Sequence, residues 1–215
     1  MLIKERMRFP VITVKPEMPI MDATNLMKRE GIRRAPVVDE HGKLIGIVSE
    51  KDLLNAAPSD ATSLSVWEIN YLVSRIKIDD VMTREVITVH EDTPVEEAAF
   101  IMATNKIGGL PVMRGDSVVG IITETDLFKI FLELMAARDP GVRLTALVPN
   151  KIGELAAVTH AIAAAGGNIL ALGTFLGEGS TTRTLMVKVE GLSEEKLLEL
   201  VKPSVDKVLD IRTCC

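Results

Sequence analysis

Two four-residue runs carry most of the chemistry open to this chain. Ser49-Glu50-Lys51-Asp52 and Thr123-Glu124-Thr125-Asp126 each place a hydroxyl three positions before a carboxylate. Each follows a short apolar run opened by a glycine, Gly46 or Gly120. A hydroxyl and an acid at this spacing form the capping box that starts a helix, and that is one reading of both runs. Glu or Gln is the usual partner in such a box, yet Asp stands there twice. An ionised Asp offers two acceptor oxygens, which suits the paired hydroxyls of a ribose. The free N–H groups of a helix start suit a phosphate, and the glycines permit close backbone approach. A nucleotide site is therefore the second reading of the same residues. Arg33-Arg34 either adds bidentate phosphate binding or is a pair of solvated arginines following a helix.

Catalytic signatures are missing from the sequence. It contains no G-x-S-x-G, no P-loop, no G-x-G-x-x-G and no paired metal ligands. His41, His90 and His160 are far apart, and Cys214 and Cys215 are adjacent at the end, where they cannot form an unstrained bridge. The expectation is a non-enzyme with no metal and no required cofactor.

The elements that must position these residues come as an internal repeat. Residues 3–38 lie on 78–113 at a constant offset of 75, with 12 identities in 36 positions. After one deletion the offset becomes 74, and residues 46–53 fall on 120–127. In each copy a β-branched strand (11–14, 86–89) leads to a helix with Pro19 or Pro94 near its first turn. Ile20, Ala23 and Met27 form an i, i+3, i+7 stripe, repeated by Val95, Ala98 and Met102. Thr93 and Glu96 have capping-box spacing, and Gly31 is a helix stop. A hairpin of strands 35–38 and 44–48, or 110–113 and 118–122, then leads into a second helix near Ser49 or Thr123.

This β-α-β-β-α repeat, opening on -h-T-V- and closing on -G-h-h-[S/T]-x-x-D-, resembles the cystathionine-β-synthase (CBS) domain. The resemblance covers residues 1–57 and 77–138 and implies a tandem pair packed about a pseudo-two-fold axis. It further implies that Asp52 and Asp126 hold a ribose while Ser49 and Thr123 lie near phosphate. A basic residue before the -h-P-V- strand faces phosphate in this family, which points to Arg33 and Arg34, opposite Gly108-Gly109 in the other copy. Ile12-Thr13 and Ile87-Thr88 would flank the adenine, with Ala35, Gly109 and Leu110 completing the nucleotide-binding set. The implied ligand is AMP, ADP, ATP or S-adenosylmethionine, acting as a regulatory ligand. Between the copies, residues 58–76 form a connector in which Leu64, Trp67 and Tyr71 suggest an amphipathic helix.

After the turn Arg138-Asp139-Pro140-Gly141 the pattern changes. Val142, Leu144, Ala146 and Val148 alternate as in a half-buried strand. An alanine-rich helix (152–165), a strand (168–175), a strand (182–189), a helix capped by Ser193 and a final strand (205–211) follow. This β-α-β-β-α-β order is the ferredoxin-like split βαβ. With Pro149, Gly153, Leu155 and the Gly166-Gly167-Asn168-Ile169 turn, residues 141–213 resemble an ACT domain. The resemblance implies an effector site at Asn150, Gly153, Leu155 and Asn168. The fold class expected overall is α/β (α+β), a CBS pair followed by this domain.

Composition narrows the partners. The 215 residues carry a net charge of −5 and only seven aromatics. There is no basic footprint for a phosphate backbone and no aromatic platform for stacked bases. Residues 155–176 carry no formal charge, but Gly166-Gly167-Asn168 interrupts them, so a helix followed by a strand is expected rather than a membrane span. The charged first eight residues lack the apolar core of a signal peptide, and a cytoplasmic protein is expected. The expected partners are an adenine nucleotide, a second copy in a homodimer and an unidentified regulated protein. The competing reading is a dimeric scaffold that binds an enzyme without any ligand.

Overall fold

The structure, a computed structural model, describes residues 1–56 and 73–214. The expected connector helix with Leu64, Trp67 and Tyr71 lies outside the described residues, as does Cys215. The chain divides into two compact units, Met1–Leu127 and Phe128–Cys215.

The first unit holds both repeat copies. In the first, α1 (Ile20–Glu30), β1 (Arg34–Val38), β2 (Leu44–Ser49) and α2 (Glu50–Ala56) follow the expected order. Helix α1 buries Ile20, Ala23 and Met27 and stops at Gly31, whose φ of 61° lies in the left-handed region. A short helix α3 (Ile78–Val81) opens the second copy, followed by β3 (Val89–His90), α4 (Val95–Asn105), β4 (Gly109–Arg114), β5 (Ser117–Thr123) and α5 (Glu124–Leu134). Two expectations need correction. The opening strands shrink to an isolated parallel bridge, Val14 to Val37, and to the two residues of β3, because only Val14 and Val89 reach the cores. The Thr93–Glu96 capping box does not form. Pro94 is the N-cap of α4, so Thr93 lies one residue outside the helix.

The copies complete each other's cores. Ile3 is fully buried with Val89, Ala98, Met102, Leu110, Val112 and Ile122 of the second copy, and Ile78 with Val14, Ile20, Ala23 and Met27 of the first. Ile3 N–H donates to Thr93 O at 3.0 Å and Ile78 N–H to Met18 O at 3.0 Å, partners related by the repeat offset. Further on, Arg8 N–H reaches Ile121 O and Thr83 N–H reaches Ile47 O, both at 2.9 Å. Gly46 and Gly120 prove necessary for this exchange. A Cβ on Gly46 would stand 2.5 Å from Met82 Sδ, and one on Gly120 would strike Met7. The close approach expected at these glycines is thus made by a methionine of the other copy, not by a ligand.

The second unit contains β6 (Gly141–Pro149), α6 (Glu154–Ala164), β7 (Asn168–Leu176), β8 (Thr182–Glu190), α7 (Glu194–Val201) and β9 (Lys207–Cys214). The strands form one antiparallel sheet in the order β7-β8-β6-β9, the split βαβ topology read from the sequence. Val158, Ile162, Leu197 and Val201 of the helices pack on Leu144, Ala146, Leu185 and Val187 of the strands. Ser193 caps α7, accepting from Lys196 N–H. The boundary between the units falls inside α5 rather than at the 138–141 turn. The segment after α5 is tied to the sheet, with Lys188 Nζ donating to Ala136 O at 2.9 Å.

Candidate functional site

Strand β2 ends at Ser49 and α2 begins at the next residue, so the first box sits where a strand turns into a helix. Ser49 donates to Asp52 Oδ2 through its N–H at 2.8 Å and its hydroxyl at 2.6 Å, and Asp52 N–H returns to Ser49 Oγ at 3.3 Å. Thr123 and Asp126 repeat the pair at 3.0 and 2.6 Å. The capping reading therefore holds in both copies, yet it engages only Oδ2 of Asp52. Among the described residues Oδ1 of Asp52 takes no hydrogen bond. Capping and ligand binding are compatible rather than rival uses of this carboxylate.

Asp52 lines a cleft of about 520 Å³, within the size range of small-molecule sites. Both copies build it. Ser49, Lys51 and Asp52 come from the first, and Val86, Ile87, Lys106, Ile107, Gly108 and Gly109 from the second. Arg33 and Arg34 line it as well. Four cations therefore share the cleft with the three acids Glu50, Asp52 and Glu85, a positive balance in a chain of net charge −5.

The two arginines cross between the copies. Arg33 Nη2 donates to Thr125 Oγ1 at 3.0 Å. Arg34 lies against the opposite glycines, where a Cβ on Gly108 would come within 2.5 Å of its Nη2 and 2.8 Å of Glu124 Oε2. Gly108-Gly109 makes room for Arg34 itself. Burial lowers the Arg34 guanidinium from its ordinary value, and Arg33 adds to this while Glu124 and Asp52 oppose it. A further anionic group beside Arg34 would offset that burial cost.

Not every expected residue joins this cleft. Ala35 and Leu110 are fully buried in the two cores, because their side chains point to the inner face of β1 and β4. Thr88 is exposed and does not line the cleft, while Ile87, 40% exposed, does. Ile12, Thr13, Thr123 and Asp126 are the repeat mates of Ile87, Thr88, Ser49 and Asp52 and lie outside it. Lys51 and Lys106 were missed. Their signal was the alignment itself, which sets them against the uncharged Thr125 and Gly31.

In the second unit the four effector residues do not converge. Asn150 N–H and Nδ2 donate to Thr181 O and Ser180 O at 2.8 and 3.1 Å. Gly153 caps α6 with a φ of 95°, and Leu155 is in that helix's first turn. Asn168 bonds Glu190 at 3.3 Å and pairs with it at the far end of the sheet, where α6 has carried the chain. One site cannot hold both Asn150 and Asn168. No helix is long and apolar enough to cross a membrane, and no group of three metal-ligating side chains occurs, both among the described residues.

Fold and repeat define a tandem pair of β-α-β-β-α units with a cleft that both copies line. A family model for the CBS domain matches residues 3–59 and 78–133, more than half of the chain, and the chain belongs to this family. The L-aspartate semialdehyde sulfurtransferase of Methanocaldococcus jannaschii is 35% identical over 131 residues, 60% of this chain but 23% of that protein. The inosine-5'-monophosphate dehydrogenase of the same organism is 36% identical over 135 residues, 62% of this chain and 24% of the relative. In these enzymes the matched region is only a part. Among solved structures, the CBS domain pair of protein MJ0100, in complex with 5'-methylthioadenosine and S-adenosyl-L-methionine, is 36% identical. It covers 61% of this chain and 95% of that one, at a TM-score of 0.52. A Vibrio cholerae protein assigned to acetoin utilization (AcuB) is 33% identical over 64% of this chain and 95% of its own, TM-score 0.53. CBSX2 in complex with AMP is 26% identical over 61% and 96%, TM-score 0.50.

Proposed function

We propose that this chain is a non-catalytic regulatory sensor that binds AMP, ADP, ATP or S-adenosylmethionine between its repeats. The observation that carries the reading is one cleft in which Asp52 keeps a carboxylate oxygen open while four cations and Ile87 face the same space. Oδ1 of Asp52 takes the ribose hydroxyls, Ser49, Arg33 and Arg34 take the phosphate, and Ile87 with Ile107 covers the adenine. Thr123, Asp126, Ile12 and Thr13 form the repeat-related second site. Adenine-containing ligands in the MJ0100 pair and in CBSX2 support this.

The second unit is proposed as an ACT-type module that dimerises the chain or takes a small metabolite near Asn150 and Gly153. The likeness to the AcuB protein supports a role in acetoin catabolism, acting on a partner enzyme in the cytoplasm. Ligand binding would regulate that partner only through different affinities for two arrangements of the pair.

A thermal-shift panel of adenosine, AMP, ADP, ATP and S-adenosylmethionine tests the sensor reading. A ligand at 100 times its Kd stabilises by about 2.7 kcal/mol, or about 5–10 °C for a chain of this size. The shift should shrink in D52A or D126A. No shift with any of the five would refute the sensor and leave the ligand-independent scaffold.

A further inference from the structure

The four-stranded sheet of the second unit has two unlike faces. Val142, Leu144 and Ala146 of β6 point to the helices, so Arg143, Thr145 and Leu147 point the other way. Leu185, Val187 and Val189 of β8 and Ile211 of β9 also face the helices, which puts Lys188, Asp210 and Arg212 on the second face. The register then sets Arg143 directly opposite Lys188 on one side and Arg212 on the other. Three cations stand in one row across β8, β6 and β9. Lys207, exposed and opposite Leu147, is on the same face. Like charges directly opposite one another destabilise a sheet.

Two of the three have local partners that match their charge. Lys188 is buried and donates to Ala136 O just past the end of α5, where the helix dipole favours a cation. Arg212 grips both oxygens of Asp210, at 2.9 Å from Nε to Oδ2 and 2.5 Å from Nη2 to Oδ1. Arg143, at the centre of the row, has only a 3.4 Å contact from Nη1 to Asp210 Oδ2, an oxygen that Arg212 already holds. The Arg143 side chain is 41% exposed and that of Arg212 62%. We propose that Arg143 and Arg212 form a docking surface for an acidic helix of a partner protein. Adjacent strands lie about 5 Å apart, and carboxylates at i and i+4 on a helix about 5–6 Å apart, so one such pair meets the two guanidinium groups. The planar fork of arginine matches a carboxylate. The strands of this sheet carry one aromatic, Phe175, too few for a base-stacking platform, which favours carboxylates over a nucleic acid. The surface lies in the second unit and is independent of the nucleotide reading above.

The test is titration of the full chain with a labelled helical peptide that carries glutamates at i and i+4, beside the same peptide with glutamines. The glutamate peptide should bind, and more weakly when salt is raised. The glutamine peptide should bind about tenfold more weakly, and R143Q should weaken the glutamate peptide by a similar factor, the size of one charge-assisted contact. D210N should bind it more tightly than the wild type, because both arginines are then released. R143Q should also melt about 1–3 °C higher, since it removes the centre of a row of like charges. A lower melting temperature in R143Q makes Arg143 a structural partner of Asp210 and overturns the proposal. So does a glutamate peptide that does not bind, that binds no better than its glutamine version, or that binds R143Q and D210N as it binds the wild type. Hydrogen exchange should show the bound peptide protecting β6 and β9, and protection at the Asp52 cleft in their place would also overturn it.

Discussion

Replacing Asp52 by Asn separates the two jobs proposed for its carboxylate. Ser49 donates twice to Oδ2, at 2.8 and 2.6 Å, and an Asn amide oxygen can still accept from the Ser49 N–H. The cap should therefore weaken rather than vanish, costing about 1 kcal/mol, or about 2–4 °C in melting temperature. The ligand contact should suffer more. In the proposed site Oδ1 would be the anionic acceptor for the ribose hydroxyls, and hydrogen bonds to charged groups contribute about 1.5–3 kcal/mol. Asp52 is half-buried, so the lower end applies, and about 1.5 kcal/mol is roughly tenfold in Kd. A double cycle isolates this number. AMP and 2'-deoxy-AMP are titrated against the wild type and D52N by calorimetry. The wild type should bind 2'-deoxy-AMP about tenfold more weakly than AMP, and D52N should bind both about equally. If D52N still prefers AMP tenfold, Asp52 does not hold the ribose and the carboxylate is a helix cap alone.

The remaining predictions concern the exchange between the copies. Ile3→Ala should destabilise the first unit by about 2–5 kcal/mol, the usual cost of emptying a fully buried site, and Ile78→Ala should cost a similar amount. Chemical denaturation measures both, and a near-neutral Ile3→Ala would show that the N-terminal segment does not complete the second core. Stability should also fall with acid in a defined window. Arg114 donates to Glu91 at 2.5 and 2.6 Å and holds its carboxyl below the ordinary 4.5, against an opposing push from burial. Lys4 does the same for Asp92, below its ordinary 3.8. Folded values depressed in this way add stability above the unfolded values, and that stability is lost as pH falls through the folded ones. Melting temperature followed from pH 7 to 3 should decline more gently in E91Q than in the wild type, and superimposable curves would refute the assignment.

Much of the architecture was legible because the repeat fixed the register of like residues. Pro19, Pro36, Gly46 and the hydroxyl–Asp boxes punctuate both copies, and helix boundaries and hairpins follow from them. What periodicity could not reveal was which copy each opening segment serves. The identities of Ile3 with Ile78 and of Met7 with Met82 mark equivalent positions, but equivalence is satisfied equally by a segment that packs on its own copy and by one that crosses over. Crossing is decided by chain length and tertiary packing, which no local pattern carries. The same limit explains the site. The chemistry of Asp52 and Arg33 is visible in the residues themselves, whereas Ala35 and Leu110 enter the expected set only through the family resemblance. Strand alternation turns their side chains into the cores instead. Asn150 and Asn168 looked like one site because a helix separates them in sequence without showing that it spans the length of the sheet.

The crossing has a mechanical consequence for any ligand. Asp52 belongs to the first copy, while Val86, Ile87 and Lys106 belong to the second, and Ile3 and Ile78 bind each copy's core to the other's chain. A molecule in the cleft therefore touches two bodies that cannot separate without exposing a buried isoleucine on each side. Large opening between the copies is costly, and small rotations about the pseudo-dyad are the motions left to it. Such rotations change the distance between Asp52 of the first copy and Ile87 and Ile107 of the second, the ribose and adenine seats that a nucleotide would bridge. A ligand that spans base and ribose senses that distance. One that lacks the base touches only one side of it and should bias the pair less, whatever its affinity.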